Sequence, residues 1–240
     1  MASKNNISVY FTPNQLKKYT DEKSIVVIVD LLRATSVIST AFENGISAII
    51  PVQTIKEALE YKNKEGYILA AEHNTKPVKD FSYGNSPYHY INSKIKGKIL
   101  VLTTTNGTKA IHLAKGHKVI TASFINIDAV AKYLINNNNN VIILCSGWKN
   151  IFNLEDPIFA GALSNLLLDS GNFQSNCDAL LAAQQLYKNA KDDIFLFLNN
   201  SSYRKRNNSD QVIKDTKFCL SPPIKSNIVP LFLNGKLIKG

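Results

Sequence analysis

The strongest constraint on this chain is a unit that occurs twice. Val26–Thr40 and Leu100–His112, about 74 residues apart, each read as an apolar run, a polar turn and a small-residue helix. The shared identities are few, but the order of the three parts is kept, which indicates an internal duplication. A short β-branched run such as Ile25–Val29 is long enough for a buried strand. A strand followed by a helix and another strand is the building block of α/β folds.

The rest of the chain repeats that order. Thr35–Phe42 has a helical pattern and Asn44-Gly45 supplies its stop; Ile46–Val52 then reads as a strand. Thr54 and Glu57 form a capping box that starts a helix predicted to reach about Lys62. Ile99–Leu102 and Lys118–Ala122 are predicted strands, with helices over Asn106–Leu113 and Ile127–Ile135. Val141–Cys145 begins a third instance, a strand leading through a polar loop to a helix over Pro157–Leu168. Asn136–Asn140 reads as a solvated low-complexity loop, and Asn189–Thr216 as polar and irregular apart from Ile194–Leu198. The expected fold is a three-layer α/β/α arrangement, internally duplicated, with a largely parallel or mixed sheet. Residues 1–240 carry no convincing linker and read as a single unit or two intimately packed lobes.

Composition narrows the functional classes. The chain is 45% hydrophobic and 19% charged, which is globular rather than disordered. No apolar run is long enough to span a bilayer, and the N-terminus lacks the apolar core of a signal peptide, so a cytoplasmic protein with no membrane association is expected. Cys145, Cys177 and Cys219 are odd in number and widely separated, which argues against a disulfide framework and a structural zinc site. The net charge of +10 suggests nucleic acid, but the basic residues are scattered, and the densest cluster, Tyr203–Arg206, reads as a solvated loop. No nucleic-acid partner is expected; the positive field suits a multiply charged small anion. A homo-oligomer is left open by the sequence.

In open α/β sheets, functional groups gather past the carboxyl ends of strands. Three polar turns fall there: Asp30–Thr35, Thr103–Lys109, and Cys145–Lys149 continuing to Glu155 and Asp156. Such turns combine carboxylates, cations and small donors, the mixture that phosphoryl transfer needs around Mg2+. Each residue also has a structural alternative. Asp30 suits a helix cap, Arg33 a buried ion pair, and Asp156, before Pro157, a helix N-cap. Cys145 follows a strand as a cysteine-phosphatase nucleophile would, but Ile151 stands where the arginine is needed. His73, His89, His112 and His117 form no ligand pair at helical spacing.

These motifs, taken together, resemble the 2-phosphosulfolactate phosphatase (ComB-like) family over nearly the whole chain. The carriers are Asp30–Thr35, Gly84-Asn-Ser-Pro87, Thr103–Thr108, Ser123–Asn126, Leu154–Asp156 leading to Ala160-Gly161, and Val229-Pro230. The resemblance implies a Mg2+-dependent phosphoric monoester hydrolase that converts 2-phospho-3-sulfolactate to 3-sulfolactate and phosphate, a step towards coenzyme M. It implies metal carboxylates at Asp30, Glu72, Glu155 and Asp156. Catalytic roles fall on Asp30, Arg33 and Glu155, with Asp30 acting as base or nucleophile if it is not a ligand. Phosphate and substrate contacts fall on Arg33, Asn85, Ser86, Asn106, Gly107 and Thr108, and Asp178 is a weaker match. Two departures bear on substrate choice. Phe81-Ser82-Tyr83 lacks the family's carboxylate before Gly84, with Asp80 two positions before Ser82, and Lys109 replaces an arginine. Another 2-phospho-2-hydroxy acid is the alternative substrate, and a non-catalytic anion-binding protein the alternative role.

Overall fold

In the computed structural model, which describes residues 4–18, 23–73, 76–78 and 81–240, strands and helices alternate along the chain. Strand β1 (Asn5–Tyr10) and strand β2 (Ile25–Val29) precede helix α1 (Ala34–Glu43). Then come β3 (Ala48–Val52), α2 (Ile55–Leu59), β4 (Tyr67–His73), β5 (Lys76–Pro77) and β6 (Ile99–Thr103). Helix α3 (Gly107–Leu113), β7 (Lys118–Thr121), α4 (Ile127–Asn137), β8 (Val141–Cys145), α5 (Glu155–Asp169) and β9 (Phe173–Gln174) follow. The chain closes with α6 (Asp178–Ala190), α7 (Ile194–Phe197), α8 (Ser202–Arg206), α9 (Asp210–Leu220), β10 (Pro230–Leu233) and β11 (Lys236–Lys239).

The described strands form one sheet in the order β5-β4-β6-β3-β11-β10-β7-β2-β8-β1-β9. β4, β6 and β3 are parallel, and so are β7, β2, β8, β1 and β9. The β10–β11 hairpin lies between these blocks, antiparallel to β7 on one side and to β3 on the other. Three reversals in succession make the two blocks run in opposite directions, so the sheet is mixed. Helices cover both faces, as the predicted three-layer α/β/α fold requires. Every residue of β2 is buried, as a strand covered on both faces must be. Val26 and Ile28 pack with Val37, Ile38 and Ala41 of α1 and Ala110 and Ile111 of α3. Ile25, Val27 and Val29 point the other way, into a core with Val130 of α4, Ile158 and Leu163 of α5, and Leu180 of α6. Each such side chain contributes roughly 1.5–3 kcal/mol of hydrophobic stabilisation.

The duplicated unit is visible as β2–α1–β3 and β6–α3–β7. The second strand of each unit pairs with the first strand of the other, β3 with β6 and β7 with β2. This exchange brings the starts of α1 and α3 together. A Cβ on Gly107 would lie 2.8 Å from Asp30 Oδ2 and 3.0 Å from Ala34 Cβ, so only glycine permits the approach. Gly161 has a similar role in α5, where a Cβ would meet the Ala183 carbonyl oxygen of α6 at 2.1 Å.

Several expectations are corrected. Asn189–Thr216 is not irregular: it completes α6 and forms α7, α8 and most of α9. Asp193, Ser201 and Ser209 cap the last three helices by accepting N–H bonds from Leu196, Arg204 and Val212. Helices α7 and α8, of four and five residues, are too short to display an apolar period, and the buried apolar side chains of α9 other than Val212 lie past Thr216. Tyr203–Arg206 is therefore helix, not a solvated loop. Asn136 and Asn137 extend α4, and Asn138 ends it with φ of 51°. The side chains of Asn138 and Asn140 then accept bonds from Asn5 and Asn6 of β1, which ties this tract to that strand. Thr54 caps α2 as predicted, but the helix stops at Leu59 rather than Lys62. Strands β1, β4, β5, β9 and the β10–β11 hairpin are not among those predicted.

Candidate active site

The three predicted turns meet at one edge of the sheet. Asp30, Glu72 and Glu155 line a cavity of about 40 Å3, with Asn106, Trp148, Tyr203 and Arg206 among its other walls. Asp30 follows β2, Glu72 lies in β4, and Glu155 opens α5. Asp30 is 8% and Glu155 3% exposed, so both carboxylates are largely withdrawn from water. Burial raises the Asp30 carboxyl well above the usual range, and Asp156 and Glu72 add to the rise; the Gly107 N–H bond opposes it. Burial, then the neighbouring Asp156, pushes Glu155 up to about 8. Glu155 Oε2 is buried and has no hydrogen-bond partner.

Asp156 sits beside this group but has a different occupation. One oxygen accepts the Leu31 N–H at 2.9 Å, and the other accepts the Gly147 N–H at 3.1 Å and the Asn153 side-chain amide at 2.9 Å. It is fully buried, and burial lifts it to about 6 against the lowering effect of those bonds. Asp156 thus ties the turn after β2 to the turn after β8. It is not the N-cap expected before Pro157, because α5 begins at Glu155. With its oxygens engaged, it is the least available of the four carboxylates assigned to metal.

Arg33 is also committed. Its guanidinium pairs with Asp215 of α9, and Ser86 Oγ and Gln211 donate to the same carboxylate at 2.7 and 3.0 Å. Arg33, Asn85, Ser86 and Asp215 line a second cavity of about 220 Å3, separated from the first by Glu72, which borders both. Asn85 donates to Glu72 Oε2 at 3.1 Å. The Leu32–Arg33 peptide is cis.

The turn after β6 spends most of its donors internally. The Gly107 N–H bonds the Asp30 carboxylate. Thr108 N–H donates to Thr104 Oγ1, and Thr108 Oγ1 returns a bond to the Thr104 carbonyl. Asn106 Oδ1 accepts the Lys149 N–H at 3.0 Å, which fixes its side chain in the cavity wall. Asp80 lies outside the described residues, and Asp178 is exposed at the start of α6.

The cation facing the acids is Arg206, which sequence reasoning missed. Its guanidinium carbon lies 3.8 Å from the Trp148 ring centroid, a cation–π stack. Its charge lowers Glu155 against the stronger upward effects. Asp215 was missed as well. Both lie in the segment read as irregular, where no motif marks them. Cys145 is fully buried, and burial with Asp156 and Glu155 nearby pushes its thiol well up, so no thiolate nucleophile forms there. His112 Nε2 is 2.7 Å from the Pro51 carbonyl, and His89 Nδ1 accepts the Gly84 N–H, so both rings hold backbone.

No three His, Cys, Asp or Glu side chains among the described residues are placed to hold a metal ion together. Mg2+ does not need such a cage, since it keeps several waters and is held by one or two carboxylates with substrate phosphate oxygens. Two withdrawn carboxylates, an unpartnered Glu155 oxygen and a third acid across a small cavity suit that demand. Among the described residues no helix is long and apolar enough to cross a membrane.

A family model described as 2-phosphosulpholactate phosphatase matches residues 10–235. A protein of Thermotoga petrophila named probable 2-phosphosulfolactate phosphatase is 40% identical over 214 residues, covering 88% of this chain and 90% of its own length. Proteins with the same name from Caldanaerobacter subterraneus subsp. tengcongensis and Clostridium acetobutylicum are 34% and 33% identical, covering 95% and 97% of this chain and 96% and 99% of their own. The chain belongs to the 2-phosphosulfolactate phosphatase family.

Proposed function

We propose that this protein is a phosphoric monoester hydrolase that converts 2-phospho-3-sulfolactate to 3-sulfolactate and inorganic phosphate in a Mg2+-dependent reaction. The observation that carries the reading is the convergence of Asp30, Glu72 and Glu155 on one cavity faced by Arg206. Glu155 and Glu72 would hold the ion, with water and substrate oxygens completing its shell, and Asp30 would act as the base. When bound, the ion neutralises phosphate oxygens and lowers the pKa of water.

Asp30 is suited to be the base because burial and its acidic neighbours make it more basic than an ordinary carboxylate. Water oxygen forms the new bond to phosphorus and its proton passes to Asp30. The ester P–O bond then breaks, and that proton returns to the leaving alkoxide. Arg206 places positive charge where the phosphoryl oxygens lie, while Asn106 shapes the wall. Arg33, balanced by Asp215, holds α9 against the turn after β2 and orients the Glu72 side of the site.

The cytoplasm and a pathway leading to coenzyme M are the setting this activity suggests. Phosphate release by metal-stripped protein, with and without Mg2+, tests the reading on 2-phosphosulfolactate, 2-phospholactate and 2-phosphoglycolate. Metal-dependent turnover led by the sulfonate is expected. Turnover led by another ester moves the substrate, and none on any of the three sinks the enzyme reading.

A further inference from the structure

Beside the acid cavity lies a larger hollow of about 780 Å3, and Thr105 and Asn106 border both. The two differ in charge. Lys17, Lys109, Lys115 and Lys149 line the hollow, and none of its described lining residues is acidic. Two hydroxyls belong to its wall. Ser146 is 1% exposed, and its Oγ has no hydrogen-bond partner; the buried Thr105 Oγ1 is also unpartnered. Buried hydroxyls are seldom left unpaired, so these are donors waiting for a ligand or water.

We infer that this hollow binds the non-reacting anionic end of the phosphate ester, a sulfonate or carboxylate, while the phosphoryl group occupies the acid cavity. The inference rests on the phosphatase reading above. A cavity of about 40 Å3 cannot enclose a three-carbon ester with two or more anionic groups. Its carboxylates would also repel a second anion that no metal neutralises. Past Asn106 the lining changes from carboxylates to lysines, so a doubly functional acid lowers its energy by spanning the seam. Lysine ammonium groups and hydroxyls accept sulfonate and carboxylate alike. The roomy hollow tolerates anionic tails longer than three carbons.

The test compares the wild type with a Lys109→Glu/Lys149→Glu double variant and with Ser146→Ala. Calorimetric titration with 3-sulfolactate, which has the tail but no phosphate, reads the hollow directly. Binding should weaken at least tenfold in the double variant and severalfold in Ser146→Ala. The kcat/KM ratio of 2-phosphosulfolactate over phenyl phosphate, which lacks an anionic tail, should fall about tenfold in the double variant. An unchanged ratio with unchanged 3-sulfolactate binding overturns the inference and leaves the phosphatase reading standing. Absence of 3-sulfolactate binding to wild type also overturns it. If wild type hydrolyses no ester, the phosphatase reading fails, and lysine-dependent 3-sulfolactate binding still decides what the hollow holds. Double Lys→Ala replacement separates loss of attraction from the introduced repulsion: a weaker effect in the same direction supports the inference, and none overturns it.

Discussion

The two copies of the strand–turn–helix unit are built from the same parts but stabilised differently. In the first, the turn after β2 carries Asp30 and Arg33, and its polar contacts are distant in sequence. Leu31 bonds Asp156 across 125 residues, and Arg33 bonds Asp215 across 182. In the second, residues 104–106 between β6 and α3 are uncharged, and Thr104 and Thr108 bond each other four residues apart. A buried charge needs a partner or a ligand, and a short turn cannot supply one from itself. A hydroxyl turn can close locally. The duplicated scaffold therefore has one copy that holds charge and one that holds shape, meeting at Gly107.

Asp30→Asn attacks the charged copy at its functional group and has the largest expected effect. It should lower kcat by about 10²–10⁴-fold while leaving thermal stability in the absence of metal unchanged or raised. Full activity in this variant would erase the functional contrast between the copies. Next comes Asp215→Ala, which leaves the Arg33 guanidinium buried without its partner. A loss of about 3–5 kcal/mol in denaturant unfolding is expected, and a loss under 1 kcal/mol would mean the pair does not hold the first turn.

Arg206→Ala sharpens the distinction between the two arginines. Activity should drop about 10²-fold with stability changed by no more than about 0.5 kcal/mol. Equal damage to folding would make Arg206 another structural cation.

Proton linkage gives a smaller effect with a definite sign. Glu155 titrates near 8 in the folded chain against an ordinary 4.5. The folded state thus keeps a proton that the unfolded state releases, and this contribution is lost as pH rises from about 4.5 to about 8. The metal-free Tm should fall between pH 5 and 8, and Glu155→Gln should flatten that slope. Mg2+ should stabilise more at pH 8 than at pH 5. A Tm that climbs over this range would contradict the burial of the acid group.

The uncharged copy should be the most forgiving. Thr108→Ala removes the two local bonds of its hydroxyl, to the Thr104 carbonyl and from the Thr104 N–H, and should cost about 1–2 kcal/mol, with activity within a few-fold of wild type. A loss of activity as large as that of Asp30→Asn would show that the second turn does more than hold shape.

What the sequence alone determined follows from local physics. β-branched runs specified the strands of the two repeated units, Asn44-Gly45 marked the end of α1, and Thr54 capped α2, because strand propensity, turn conformation and capping depend on a few neighbouring residues. Asp30, Glu155 and Asp156 were legible as polar residues in turns after predicted strands, whereas Glu72, in the unpredicted β4, was marked by the family resemblance alone. Which of them is tied to backbone was not legible, because Asp156 is engaged by N–H groups of Leu31 and Gly147, which only the folded sheet brings to it. Arg206 stayed hidden in a five-residue helix and Asp215 in the polar first half of α9, and the antiparallel hairpin between the parallel blocks reversed one half of the sheet against the other. Tertiary structure alone decided which charge faces which, since burial and Coulomb interactions depend on distance in space, and spacing along the chain does not record it.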